Sequence, residues 1–409
     1  MTETRNERTD YIRSIESICT IMNELNSHDL GCLGNRQLLE VQDATLGAIS
    51  NPEDFPPLSA AIVPGDEVAI ALDANLPDSR RALSAVIGEL KEAGAGAITV
   101  VVGNEMIEAA MERLRDQLSP EVKVLPHHTR QRSSFRYLGP DVHGNPVYLN
   151  RWLVDADLVI PIVTRRVDAF GSGRPGDLTG VFPTFADADA RRRHHTLKNH
   201  PETEQGQESV DLDNDLEAMT GTAEEPAWLL GVQLILMVTP NNQGRIAEIF
   251  CGSIEAARKN TLASSEAALC DFVLATIEGE SSQQTWLNVA RAAEAASYHT
   301  KPGGTIVIWS DLGELLEPVE PTSATDIPGN SSDEMSDEEY FPAWDETPVP
   351  FERLNTLCED YQVILRSRLH ADSVEKSGLG CLETANELQR LAMALPKRGM
   401  LRAAQFQAT

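Results

Sequence analysis

The chain has 409 residues, and its 63 acidic against 34 basic side chains leave a formal net charge of −29. A surface that negative repels phosphate backbones and acidic lipid headgroups, which speaks against nucleic acid and membranes as partners. The apolar share of 41% is enough for sizeable cores, but no apolar run reaches the roughly 18 residues of a membrane span.

The opening residues MTETRNERTD are charged and no apolar segment follows them, so no secretion signal is expected. Six cysteines lie far apart without a CxxC spacing, the pattern of reduced thiols in a cytoplasmic protein. Residues 8–27 predict a helix, because Ile12, Ile15, Ile18, Met22 and Leu25 recur at helical spacing after a candidate cap at Thr9. From residue 60 the pattern alternates. VAIAL (68–72) is an apolar strand, RRALSAVIGELKEAG (80–94) an amphipathic helix closed by glycine, and AITVVVG (97–103) a second strand. A helix over EMIEAAMERLRDQL and the strands VKVL (122–125) and DLVIPIV (157–163) follow. Strands apolar on both faces, alternating with helices, predict a mostly parallel sheet covered by helices.

Residues 167–180 read VDAFGSGRPGDLTG, with Gly171, Gly173 and Gly176 spelling GxGxxG. A triphosphate-binding loop needs Lys and Ser/Thr after its last glycine, where this chain has Asp177 and Leu178. A dinucleotide fingerprint should lead into a second apolar strand, yet RRRHHTLKNHPETEQGQES is strongly polar. Neither reading holds, and the glycines are left as permitting close backbone approach to something else.

The second half begins with two apolar runs joined by Asn241-Asn242-Gln243-Gly244, a hairpin signal. A helix (254–268), the strand CDFVLATI, a helix around 284–298 and the strand GGTIVIWS make a second strand–helix–strand unit. Residues 311–350, including PTSATDIPGNSSDEMSDEEY, form an acidic insert too polar to fold alone. QVILRSR and ETANELQRLAMAL add a final strand and helix. The expected division is a helical extension over 1–50, a larger α/β domain over 51–265 and a smaller one over 268–409, with a cleft between the two.

At this level the chain resembles the lactate racemase-like proteins, whose members use a nickel-pincer nucleotide. The resemblance runs from about Phe55 to about Leu395 through VPGDEVAIALDANLP, YLGPDVHGNPVYLNRWLVDADLVIPI, AFGSGRPGDLTGVF, VQLILMVTPNNQGRIAEIFCGSIEAA and YHTKPGGTIVIWS. It implies two α/β domains with mostly parallel sheets and an active site in the cleft between them. It also implies that the glycine-rich loop corresponds to the one that carries the pincer cofactor. In the family the Cα hydrogen of a 2-hydroxy acid leaves as hydride. That chemistry needs the pincer as acceptor, two histidine bases, cations for the carboxylate and a lysine tether.

Here the chain departs from the family. Asp-x-x-Arg-Pro reads Asp73-Ala74-Asn75-Leu76-Pro77, so the arginine is absent, and Gly-Thr-His-Arg reads Gly103-Asn104-Glu105-Met106, with Glu105 at a histidine position. Arg165 stands where the second histidine is expected, Pro175 at the tethering lysine, and Asn288 and Arg291 at a Gln and Lys pair. Proline has no amine, so no covalently tethered cofactor is expected. Arginine stays protonated and can hold an anion but cannot act as a base. A small anionic molecule is therefore the expected partner, with Glu105, Arg165, Asn288 and Arg291 as the reactive set and Asp73, Gly173 and Arg174 beside any cofactor. These residues should face one another, Asp73, Glu105 and Arg165 across the cleft from Asn288 and Arg291.

Other readings stay open. Asp73 and Glu105 can cap helices, and Arg165 and Arg291 can simply pair with acids. His194, His195 and His200 read as a solvated cationic helix or as a source of the family's metal ligand. His127 and His128 read as loop residues with no role. Either an altered enzyme, if so an isomerase of 2-hydroxy acids or a related one-base reaction, or a non-catalytic binding descendant fits these departures.

Overall fold

The computed structural model of the protein describes residues 2–31, 33–104, 106, 108–129, 131–141, 144–165, 179–199, 225–259, 269–313 and 349–407. Two six-stranded sheets organise the chain, with one separate two-stranded hairpin. The first contains β2 (Glu67–Leu72), β3 (Ala97–Val102), β4 (Lys123–Pro126), β7 (Leu158–Thr164), β8 (Ile235–Pro240) and β9 (Ile246–Gly252). Their order is β4-β3-β2-β7-β8-β9, and all neighbours run parallel except β8 and β9. Asn241–Gly244 makes that antiparallel turn, with Gly244 at φ +67°.

The strands are continuously apolar because both faces are covered. Val68, Ile70 and Leu72 pack with the helices Val41–Ser50, Ser79–Glu92 and Glu108–Gln117, while Ala69 and Ala71 look to the opposite core. There the hairpin of β5 (Phe135–Pro140) and β6 (Pro146–Asn150) closes over the sheet with Phe182 and Phe185.

The second sheet is all parallel, and it takes strands from far apart in the chain. Its order is β1 (His28–Asp29), β14 (Arg398–Leu401), β10 (Cys270–Thr276), β11 (Thr300–Trp309), β12 (Gln362–Arg366) and β13 (Gly380–Cys381). The helices Trp286–Ser297 and Val349–Asp360 cover one face. The helix Thr2–Glu24 and the helix Ala385–Ala394 share the core on the other.

The N-terminal helix thus starts well before Thr9, which lies inside it rather than capping it. Its buried stripe is Tyr11, Ile15, Ile18 and Met22, with Ile12 turned outward at 40% exposure. Of the segment that reads as an extension in the linear sequence, the helix Thr2–Glu24 and β1 belong to the second sheet and the helix Val41–Ser50 packs on the first. Within the predicted helix 254–268, Ile254–Lys259 is helical, and 260–268 lie outside the described residues, as do 314–348 of the acidic insert. Among the described residues no helix is long and apolar enough to cross a membrane.

Candidate functional site

In open parallel sheets, ligand crevices form beyond the carboxyl ends of the strands. In the first sheet those ends carry Asp73, directly after β2, and Arg165, directly after β7. In the second they carry Ile277 to Gly279 after β10 and Ser310 after β11. The loops from the two sheets meet.

Asp73 ties strand ends together. Its Oδ1 accepts from the Asn75 backbone N–H at 2.9 Å and its Oδ2 from the Thr164 N–H at 3.0 Å. It is therefore not a helix cap, because the next helix starts at Ser79. The bond to Thr164 sets the spacing of the β2 and β7 loops and holds the residue before Arg165. Arg165 is 7% exposed, with its own N–H given to the Val238 carbonyl at 2.9 Å.

Asn75 is one point of contact between the two halves. Gln283 Nε2 donates to its carbonyl at 3.0 Å, and Asn288 Nδ2 to its Oδ1 at 3.3 Å. Asn288 lies in the first turn of the helix Trp286–Ser297 because Thr285 caps that helix, accepting the Asn288 N–H at 3.2 Å. Asn288 Nδ2 also donates to the Gln283 carbonyl at 2.7 Å, and its Oδ1 accepts from Arg291 Nη1 at 3.0 Å. Arg291 follows one turn later on the same helix face and is 4% exposed. The predicted Asp73 loop and the predicted Asn288–Arg291 pair are therefore brought together across the two sheets. Glu105, Gly173, Arg174 and Pro175 lie outside the described residues.

Beside this polar contact lie two cavities, of about 730 and 490 Å³. Neither is lined by Arg165, Asn288 or Arg291. The smaller is walled by Ala74 and Leu76 from one half and by Ser282 and Gln284 from the other, the neighbours of the two contact residues. Tyr11 borders both cavities. Its hydroxyl faces the Ile277 and Trp309 carbonyls at 2.7 and 3.0 Å, and burial pushes its pKa well up, so it stays a donor.

At the larger cavity, Arg402 Nε and Nη2 grip the two oxygens of Glu278 at 2.7 and 3.0 Å. Burial pushes the Glu278 carboxyl up, against the pull of this guanidinium. Asn75, Gln283, Tyr11 and the Glu278–Arg402 pair were not legible as site residues. Each acquires its partner across a sequence gap that no local pattern spans.

The solvated reading of His194 is corrected, and His127, in the loop after β4, is buried. His194 is 7% exposed and packs edge-on against Phe182 at 5.6 Å, so it belongs to the packed face of the helix Ala188–Asn199 rather than to solvent. His127 is a buried core residue, held by the Ala186 carbonyl and the Asn150 amide at 3.0 and 3.1 Å. The side chain of His195 and the whole of His200 lie outside the described residues. Among the described residues no three His, Cys, Asp or Glu side chains form a cluster fit for a metal.

The lactate racemase N-terminal domain family matches residues 27–206. The lactate racemase apoprotein of Thermoanaerobacterium thermosaccharolyticum superposes with a TM-score of 0.67 at 16% identity, over 93% of this chain and 94% of that one. The chain thus has the fold of the lactate racemase apoprotein, and its first half is similar to the lactate racemase N-terminal domain family. A crystal structure of a Thermotoga maritima protein is similar as well, with a TM-score of 0.62 at 13% identity, covering 92% of this chain and 99% of the other. No curated protein matches by sequence. At such identities the structural likeness carries the fold and not the chemistry, which rests on the side chains present.

The resemblance places the family's tethering lysine at Pro175. Pro175 has no amine for the link, and no lysine occurs between Lys123 and Lys198 to supply one by a shift of register.

Proposed function

We propose that this lactate racemase-like protein is a divergent member holding a small anion of the 2-hydroxy acid kind in the cleft between its sheets, with the family's racemase chemistry altered or lost. The observation that carries this reading is the burial of two guanidinium groups, Arg165 directly after β7 at 7% exposure and Arg291 beside the Asn75–Asn288 contact at 4%. Guanidinium forks match carboxylates in geometry as well as in charge. Arg165 supplies charge where the family has a base, so a two-base racemisation has no second base here. If Glu105 acts as the single base, the outcome is a one-sided proton transfer.

A non-catalytic binder of small anions or of a protein is the second reading. It is favoured by the Asn288 amide, whose two ends are both engaged by protein groups. Cytoplasmic residence remains the reading of the scattered thiols.

A thermal-shift panel of lactate, longer 2-hydroxy acids and sugar acids tests the site. The expected result is a raised Tm with at least one carboxylate, lost in Arg291→Met. Failure of every anion to stabilise the protein overturns the proposal. Screening the same anions for turnover separates the enzyme from the binder. Intact mass of protein from its own host should show no nucleotide-sized adduct, and such an adduct would mean that the glycine loop has been misread.

A further inference from the structure

We infer that Asn75, Gln283 and Asn288 form a latch between the two halves of the molecule, and that Arg291 becomes accessible only when it opens. The three amides are 3%, 3% and 0% exposed, and they come from segments more than 200 residues apart. Two hydrogen bonds cross the boundary, from Gln283 Nε2 to the Asn75 carbonyl and from Asn288 Nδ2 to Asn75 Oδ1. A third links Asn288 Nδ2 to the Gln283 carbonyl, and a fourth joins Arg291 Nη1 to Asn288 Oδ1. The latch and the position of the guanidinium are therefore one connected network.

The latch lies between a cavity and a buried cation. Ala74, Leu76, Ser282 and Gln284 line the 490 Å³ cavity, whereas Asn75, Gln283, Asn288 and Arg291 do not. A molecule in that cavity meets the chain neighbours of the Asn75–Gln283 contact and does not meet Arg291. Side-chain amides suit a closure that must also open. Each neutral bond contributes modestly, because its groups find water when separated, unlike a buried ion pair whose separation exposes bare charge.

The inference concerns access and stands whether or not a small anion is the ligand. Phenylglyoxal, which modifies accessible guanidinium groups, tests it on the full chain, with Arg291 read by peptide mass spectrometry. In the unaltered protein Arg291 should label slowly yet completely while circular dichroism stays native. No labelling of Arg291 in the folded state overturns the latch. In Gln283→Ala, and further in Gln283→Ala combined with Asn75→Ala, labelling should accelerate roughly fivefold for each bond removed. A folded double variant that labels at the unaltered rate also overturns the proposal. If that variant does not fold, the time course of the unaltered protein and the Gln283→Ala single variant still decide.

Discussion

At the residue scale, His127 shows how a packed environment fixes protonation. Asn150 Oδ1 accepts the Trp152 N–H at 3.0 Å, so the Asn150 amide cannot flip without losing that cap, and its Nδ2 must face His127 Nδ1. Nδ1 is then an acceptor, and Nε2 carries the proton given to Ala186. The ring is neutral by construction. Burial lowers its pKa to about 3, with the charges of Arg191 and His128 pushing the same way against the bond to Ala186. The folded value lies below the unfolded one near 6.5. Stability from this site is therefore complete above pH 6.5 and declines as the pH falls toward 3, at about 1.4 kcal/mol per pH unit. Urea midpoints measured from pH 7.5 to 4.5 should fall less steeply in His127→Gln than in the unaltered protein, although the variant starts less stable because it loses the ring contacts with Phe135 and Phe185. Parallel profiles would refute this assignment. The sequence offered only two adjacent histidines after a strand, because nothing local to residue 127 announces Asn150 or Ala186.

At the element scale, the turn between β8 and β9 is where local signal and tertiary contact coincide. Asn241-Asn242-Gln243-Gly244 was legible as a hairpin because only glycine accepts the left-handed φ of +67° without strain. What was not legible is that the same glycine touches the second sheet's loop. A Cβ on Gly244 would meet the Glu278 carbonyl carbon and oxygen at 2.8 Å. Gly244→Ala therefore combines a backbone penalty of roughly 1–2 kcal/mol with a clash against backbone that cannot rotate away. A loss of about 3 kcal/mol in chemical denaturation is expected, and a loss below about 1 kcal/mol would show that the two loops do not meet as described. Long apolar strands such as β2 and β3 could be read from the sequence, since periodicity and length agree. β1, with two residues, and β14, with four, fell below any pattern, yet β14 occupies an interior position between β1 and β10. Short interior strands are specified by their neighbours.

At the scale of the whole molecule, part of the candidate site was readable because family motifs mark strand ends, and strand ends gather at one crevice. The loop that follows Asp73 and the helix turn that carries Asn288 do meet, through Asn75. The amides that make the contact, Asn75 and Gln283, carry no motif and were passed over. The second sheet was the less readable half for a topological reason: it is assembled from both ends of the chain. His28 and Asp29 pair with Gly399 and Met400, and Tyr11, Ile15, Ile18 and Met22 seal the face formed by Phe272, Leu274, Val307 and Trp309. Burying four large side chains contributes about 2 kcal/mol each, or about 8 kcal/mol together. That is a large share of the roughly 5–15 kcal/mol that holds a typical domain. A chain lacking residues 2–24 should consequently lose its second sheet and keep its first, whose cores lie around β2, β3, β7 and β8 and include none of the removed residues. Hydrogen exchange of the shortened protein reads both halves at once. Peptides from β10, β11 and β12 should exchange at least a hundredfold faster than in the full chain, because the lost burial far exceeds the roughly 2.8 kcal/mol such a factor represents. Peptides from β2, β3 and β7 should stay protected. If β10 to β12 stay within about tenfold of the full chain, the helix is an appendage and not part of the core.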